Sequence, residues 1–175
     1  MSSSRYAEAL TEAMTMLAEH PDTVFLGQAV VYPGTAQTNT LVNVPADRKI
    51  EMPVCEEMQM GISIGLSLQG KIPVSLYPRW NFMILATNQL VNHLDRIPLY
   101  SEYRPKVIIR VGVGSERPLY PGIQHVGDFS AAYQLMLKTV SVVQLHEADD
   151  ILPAYRKALR QEQSTILVEY GDLYN

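Results

Sequence analysis

The chain has 175 residues and a mass of 19.6 kDa, enough for one sizeable core, and it reads as a single domain over 1–175. Apolar residues make up 47% and charged residues 18%, which excludes an intrinsically disordered chain. The net charge of −4 and a pI near 5.5 leave no electrostatic footprint for nucleic acid or an anionic membrane surface. The apolar stretches are interrupted well before the roughly 18–20 residues a membrane span needs. The opening MSSSRYAEALTEAM lacks the basic-then-apolar order of a secretion signal, so the expected setting is the cytoplasm. The single cysteine, Cys55, makes no internal disulfide, and no Cys-x-x-Cys or His-rich spacing points to a metal.

In chain order, Tyr6, Leu10, Met14 and Leu17 mark one apolar face of a helix over Tyr6 to His20, with Ser3 or Ser4 as its cap. Val24 to Gly27 has the β-branched and aromatic character of a short buried strand. Tyr32 to Asp47, with Pro33, Gly34 and Pro45 and no apolar period, reads as loop. Lys49 to Met52 is a short strand. Glu56 to Leu68 is helical through Met60, Ile64 and Leu68, with Gly61, Gly65 and Ser67 on an adjoining face. Ile72 to Tyr77 is strand, and Trp80 to Leu94 is read as one helix after the break at Pro78. Lys106 to Gly114 is the clearest buried strand, followed by a turn-rich stretch from Ser115 to Gly127. Helix over Phe129 to Leu137, strand over Thr139 to Leu145, helix over Asp149 to Arg160 and strand over Thr165 to Glu169 complete the chain, with Pro153 in the first turn of the last helix. Strands alternating with helices predict an α/β domain, a mostly parallel central sheet with helices on both faces. In such a sheet the ligand sits beyond the carboxyl ends of the strands, so the two turn-rich stretches become the site walls.

Within PVCEEMQMGISIGLSLQG, two carboxylates stand where strand gives way to helix. The helix dipole and free N–H groups there account for one of them as a cap, with the other solvated. Gly61 and Gly65 each cost the helix about 1 kcal/mol relative to Ala. Being four apart, they suit a closely packed partner surface better than a phosphate cradle, whose glycines precede the helix. His125 lies among turn formers, where polar residues serve binding more often than packing. His93 reads as a capping or interface residue. Trp80 and Phe82 fit either the core or, following Pro78 and Arg79 at a strand exit, a stacking surface for a flat ligand. No nucleophile elbow or dinucleotide fingerprint is present.

The order YAEALTEAM, VFLGQAV, PVCEEMQMGISIGLSLQG, PVSLYPRWNFMILATNQLVNH, GIQHVGDF and STILVEYGDLYN resembles the pyrimidine-binding domain of thiamine diphosphate-dependent enzymes of the transketolase type. It is nearest the beta subunit of the decarboxylating component of 2-oxo-acid dehydrogenases, and the resemblance covers almost the whole chain. It implies that Glu56 is the family's essential glutamate, which hydrogen-bonds the cofactor's aminopyrimidine and promotes the tautomer that deprotonates the neighbouring thiazolium carbon. It further implies that Phe82 stacks on the pyrimidine with Trp80 and Pro78 lining the same strand exit, and that His125 meets the carbonyl of a small-molecule substrate. Gln28 stands where the family carries an acidic residue, and Leu85 and Asn88 replace polar and acidic residues.

The Gly-Asp-Gly segment with a downstream asparagine, which holds magnesium and the diphosphate in this superfamily, has no counterpart in these residues, and no metal ligand is assigned here. The resemblance therefore implies a partner subunit carrying that motif and the magnesium, in a heterotetramer with two of each chain. A transketolase-type C-terminal domain is also not expected within 1–175. The implied function is the pyrimidine-binding subunit of a heteromeric enzyme that cleaves or forms a carbon–carbon bond next to a carbonyl, by 2-oxo acid decarboxylation or acyl or ketol transfer. One rival is a split transketolase acting on sugar phosphates, for which Arg79, Arg110 and Arg117 are the cations placed near the loops. Another is a non-catalytic assembly subunit, which retention of Glu56, Phe82 and His125 opposes.

Overall fold

Six short apolar runs form one six-stranded sheet, every neighbouring pair parallel, in the computed structural model, which describes residues 4–32, 35–114 and 120–175. The elements in order are α1 (Arg5–Glu19), β1 (Thr23–Gly27), α2 (Ala36–Asn39), β2 (Lys49–Glu51), α3 (Glu56–Leu68), β3 (Ile72–Tyr77) and α4 (Trp80–Met83). They continue with α5 (Ile97–Tyr100), β4 (Ile108–Val113), α6 (Ser130–Met136), β5 (Ser141–Leu145), α7 (Ala148–Arg160) and β6 (Thr165–Tyr170). Single 3₁₀ turns lie at Ala46–Arg48, Ile123–His125 and Gly171–Tyr174.

The strand order is β2-β1-β3-β4-β6-β5. From β1 the chain steps out to the edge at β2 and then returns past β1 to β3, so the connections after β1 and β3 leave in opposite directions. In an open α/β sheet the carboxyl ends of two strands that diverge in this way are the usual ligand position.

Side chains alternate across the pleat and fill two cores. On one face Phe25, Val74, Leu76, Ile108 and Leu167 meet Leu10, Met14 and Leu17 of α1 and Ile151 and Tyr155 of α7. On the other, Tyr77, Ile109, Val111, Ile166 and Val168 meet Met60 and Ile64 of α3, Trp80 and Met83 of α4 and Tyr133 of α6. The expected helix faces hold: Tyr6, Leu10, Met14 and Leu17 are all buried, and the Ser4 hydroxyl caps α1 by accepting from the Ala7 N–H at 3.2 Å. Among the described residues no helix is long and apolar enough to cross a membrane.

Several expectations need correction, among them that for Pro153, which lies inside α7 beyond its first turn. Residues Trp80 to Leu94 are not one regular helix: α4 passes into a 3₁₀ turn at Ile84–Ala86 and then a π-helical stretch at Gln89–Leu94. The buried residues explain the change. Trp80, Met83 and Ala86 recur every three positions, suiting a tight turn, whereas Ala86, Leu90 and Leu94 recur every four, suiting a wider one. Leu68, expected on the apolar face of α3, is exposed, and the sheet-facing row carries buried polar residues instead, Glu56, Gln59 and Ser63. The first turn-rich stretch, read as loop, contains α2, capped where the Thr35 hydroxyl accepts from the Thr38 N–H at 3.1 Å. Residues 33–34 and 115–119 of the two turn-rich stretches lie outside the described residues.

Arg110, expected near the loops as a site cation, lies wholly buried in the sheet against Glu169 of the neighbouring strand. Its Nε and Nη2 donate to the two carboxylate oxygens at 2.7 and 3.0 Å, and Nη2 also reaches the Thr40 hydroxyl at 3.1 Å. Glu169 accepts in addition from the Tyr155 hydroxyl at 2.5 Å, the Gln37 amide at 3.3 Å and the Tyr174 hydroxyl. The pair ties α2, α7 and the last 3₁₀ turn to the middle of the sheet. Replacing Arg110 with Met strands a carboxylate in the core and is expected to lower unfolding free energy by about 3–5 kcal/mol. The shift in the denaturant midpoint measures it, and the double variant R110M/E169L should recover much of the loss.

Candidate active site

At the exit of β1 the backbone turns sharply after Gly27, whose φ is 155° and where a Cβ would sit 2.5 Å from the Leu76 carbonyl oxygen. The Met52 N–H donates to the Gly27 carbonyl at 2.9 Å, holding the exit of β1 against the segment that leads to α3. These contacts bring Gln28 to the start of α3, and its Nε2 donates to Glu56 Oε1 at 3.0 Å. Of the two adjacent carboxylates, Glu56 is only 4% exposed and Glu57 faces solvent, so the sequence's paired acids separate into one buried and one solvated group. Neither comes from a side-chain cap: the residue before α3 is Cys55, which makes no capping bond to the helix. The helix dipole favours an anion in this first turn, and the Gln28 amide supplies a hydrogen bond to the buried charge.

Beneath Glu56 runs a column of buried polar groups that the sequence reading missed. Gln59 Nε2 donates to the Ser75 hydroxyl at 3.0 Å and to the Leu76 carbonyl at 2.9 Å, and the Ser63 hydroxyl reaches the Gln59 carbonyl at 2.8 Å and Ser75 at 3.1 Å. The spacing 56, 59, 63 puts all three on one helical face, a signal present in the sequence but masked by the apolar row beside it. Tyr77 lies on the same side of β3 as Ser75. Burial pushes its phenol well above the ordinary value, and the negative charge of Glu56 adds to it.

The β3 exit supplies the opposite wall. Pro78 is half-buried, and its carbonyl approaches β4 so closely that a Cβ at position 112 would collide with it, which explains Gly112. Phe82 is half-buried, with the His125 ring edge-on to it at 5.4 Å between centroids and 65° between planes. Arg79 Nη1 donates to the His125 carbonyl at 3.3 Å, fixing the 3₁₀ turn that carries the histidine. Burial lowers the Arg79 guanidinium from its ordinary value. His125 Nδ1 and Asn81 Oδ1 are buried, with no hydrogen-bond partner among the described residues.

Trp80 does not line this wall. It has no exposed surface and packs against Tyr133 at 4.7 Å between ring centroids, because the first residue of α4 faces the core while Phe82, two positions on, points away from it. The expectation that Trp80 contacts a cofactor is therefore corrected to a core role. His93 is exposed on the π-helical stretch, apart from these groups. The structure thus gathers Gln28, Glu56, Pro78, Phe82 and His125 at the carboxyl ends of β1, β3 and β4 and sends Trp80 and Arg110 into the interior.

An all-parallel open sheet whose connections diverge between β1 and β3, with a buried carboxylate at one strand exit and an aromatic–histidine pair at the next, defines a domain of the open α/β class. Residues 2–175 match the family described as "Transketolase, pyrimidine binding domain", and the chain belongs to that family. Among curated proteins it is 27% identical over 176 residues to the pyruvate dehydrogenase E1 component subunit beta-4, chloroplastic, of Oryza sativa subsp. japonica, covering 96% of this chain and 43% of that protein. The corresponding beta subunit of Gracilaria tenuistipitata var. liui is 28% identical over 176 residues, covering 96% of this chain and 53% of that protein. The chain spans about half the length of these relatives. Among solved structures, a split gene transketolase in an inactive beta4 tetramer superposes with a TM-score of 0.74 at 22% identity, over 94% of this chain and 51% of that one. The transketolase of Campylobacter jejuni superposes with a TM-score of 0.76 at 11% identity, over 98% of this chain and 26% of that one. Both share the fold.

Proposed function

We propose that this domain binds the pyrimidine ring of thiamine diphosphate and serves as one half of a heteromeric enzyme that breaks or forms a carbon–carbon bond next to a carbonyl. The observation that carries the reading is Glu56, a carboxylate only 4% exposed at the start of α3 beside the exit of β1, with Gln28 on one oxygen. The residues present fit an aminopyrimidine: a buried acid for a ring nitrogen, a half-buried aromatic face at Phe82, and an apolar edge at Pro78. Bound thiamine diphosphate supplies a nucleophilic carbon and an electron sink for the bond adjacent to the substrate carbonyl.

In this reading Glu56 holds and exchanges a proton with the pyrimidine ring, and its burial keeps water from competing for that proton. Phe82 stacks on the ring, and Pro78 closes its edge. His125, held edge-on to Phe82 at the same strand exits, is the group in this reading that moves a proton to or from the carbonyl oxygen. Arg79 keeps that imidazole in place through the His125 backbone.

No group of three or more His, Cys, Asp or Glu side chains suited to a metal occurs among the described residues. The proposal assigns magnesium and the diphosphate to a second subunit bearing a Gly-Asp-Gly and downstream Asn motif, in a heterotetramer, a reading supported by the likeness to E1 beta subunits and to a split gene transketolase. Of the three cations named for a sugar phosphate, Arg110 is buried and paired, Arg79 is half-buried beside His125 and Arg117 lies outside the described residues, and assaying a 2-oxo acid against a sugar phosphate separates the two substrate classes. Co-expression with a subunit carrying that motif, followed by calorimetric titration of thiamine diphosphate with magnesium, tests the assignment. Binding is expected only when both chains are present. A complex of the two that takes up no thiamine diphosphate refutes it.

A further inference from the structure

Glu51, the last residue of the edge strand β2, makes contacts that strand pairing does not explain. Its Oε1 accepts from the Ala29 N–H at 2.6 Å, and its Oε2 accepts from the Val30 and Val31 N–H groups at 2.9 and 2.8 Å. Three consecutive backbone donors thus converge on one side-chain carboxylate, the arrangement by which successive N–H groups form an anion-binding concavity. Ala29 has φ 53° and is the one non-glycine residue with positive φ among those described. Alanine rarely adopts this left-handed conformation, and it persists only where the surroundings over-determine it. The other side of the turn is gripped as well, since the Thr38 hydroxyl donates to the Ala29 carbonyl.

Gln28 lies between this clamped turn and the Met52–Gly27 backbone bond, and its side chain makes the hydrogen bond to Glu56. With both flanks fixed, the Gln28 backbone has one orientation, and the amide is aimed at the carboxylate before any ligand arrives.

We propose that Glu51 is a positioning residue that holds the 29–31 turn so that Gln28 is presented to Glu56; its catalytic consequence rests on the function proposed above. The chemistry requires an anion at position 51. A neutral amide there offers one acceptor oxygen and turns an NH₂ group toward backbone donors, so it cannot satisfy three N–H groups.

Two measurements test this. Amide hydrogen exchange on the full chain compares the protein with Glu51→Gln. Exchange at Ala29, Val30 and Val31 is expected to accelerate at least about tenfold while amides of α3 and β3 keep their rates, because the loss is local opening of one turn. Glu51→Asp keeps the charge on a shorter arm and should retain slowed exchange at one or more of the three, which guards against a variant that merely unfolds. Unchanged exchange at all three amides in Glu51→Gln overturns the proposal.

The second measurement is a double-mutant cycle on kcat/KM in the assembled enzyme, using Glu51→Gln, Gln28→Ala and the pair. If Glu51 acts through Gln28, the pair loses no more than Gln28→Ala alone. If the losses multiply, each near tenfold and together near a hundredfold, Glu51 acts by another route and the proposal falls. A Glu56→Gln enzyme with full turnover would instead sink the functional reading, and the exchange result on the turn is independent of it.

Discussion

Replacing Glu56 with Gln is expected to lower kcat of the assembled enzyme by about 10²- to 10⁴-fold, the range supplied by a positioned acid–base group, with the fold and the assembly intact. Glutamine is nearly isosteric with glutamate, and its carbonyl oxygen still accepts the bond that Gln28 Nε2 now gives to Glu56 Oε1 at 3.0 Å. Gln59, Ser63 and Ser75 bond among themselves and do not depend on the charge above them. What the substitution removes is the exchangeable proton. The loss should therefore fall on kcat more than on the thiamine diphosphate concentration needed for half-maximal activity, because Phe82 and Pro78 still face the ring. Glu57→Gln is the internal control. Its carboxylate is exposed one residue away, so a solvated-acid role predicts little change. Full turnover in a purified Glu56→Gln complex of normal size on gel filtration would remove the basis of the functional reading.

The contrast between neighbouring acids shows what a sequence exposes and what it hides. Glu56 and Glu57 have the same chemistry, and both lie in the first turn of α3; only the rotation of the helix against β3 buries one of them. The extent of α3 was readable because Met60 and Ile64 repeat at helical spacing and Gly70 follows the end. The strand Ile108–Val113 was readable because it is apolar on both faces of a parallel sheet. Arg110 was misplaced for the same reason. A cation inside an apolar strand looks like an approach to the loops until its partner, 59 residues away on β6, is known.

Trp80 and Phe82 are two residues apart on one short helix and so face different ways, and it is Trp80 that packs on Tyr133 in the core. The clamp by Glu51 leaves no trace in periodicity, because its partners are backbone N–H groups at 29–31, and every residue but proline carries one. Side chains that bind other side chains leave a residue-type signature, whereas side chains that bind main chain do not.

Raising the pH above 10 is expected to unfold the domain steeply, by at least about 4 kcal/mol per pH unit. Tyr6, Tyr77 and Tyr155 are 5%, 1% and 0% exposed, and burial raises all three phenols well above the ordinary value. The charge of Glu169 adds to the effect at Tyr6 and Tyr155, and that of Glu56 adds to it at Tyr77. Below the unfolded value near 10 both states keep these protons, and the three groups give stability no pH dependence. Above it the unfolded chain releases these three protons, and those of Tyr133, Tyr170 and Tyr174 whose phenols are also raised, so unfolding gains about 1.4 kcal/mol per group per pH unit until each folded value is reached. A domain holding about 5–15 kcal/mol cannot absorb that for long.

Urea unfolding midpoints measured from pH 8 to pH 12 should stay level and then fall. Tyr155→Phe should reduce the slope by about 1.4 kcal/mol per pH unit even though it also loses the hydroxyl bonded to Glu169 and so starts from lower stability. The two effects separate cleanly: the lost hydrogen bond lowers the level at pH 8, while the lost proton flattens the fall above pH 10. A midpoint that stays level through pH 12, or a Tyr155→Phe slope equal to that of the parent chain, would mean that these phenols are not held in their neutral form by the fold.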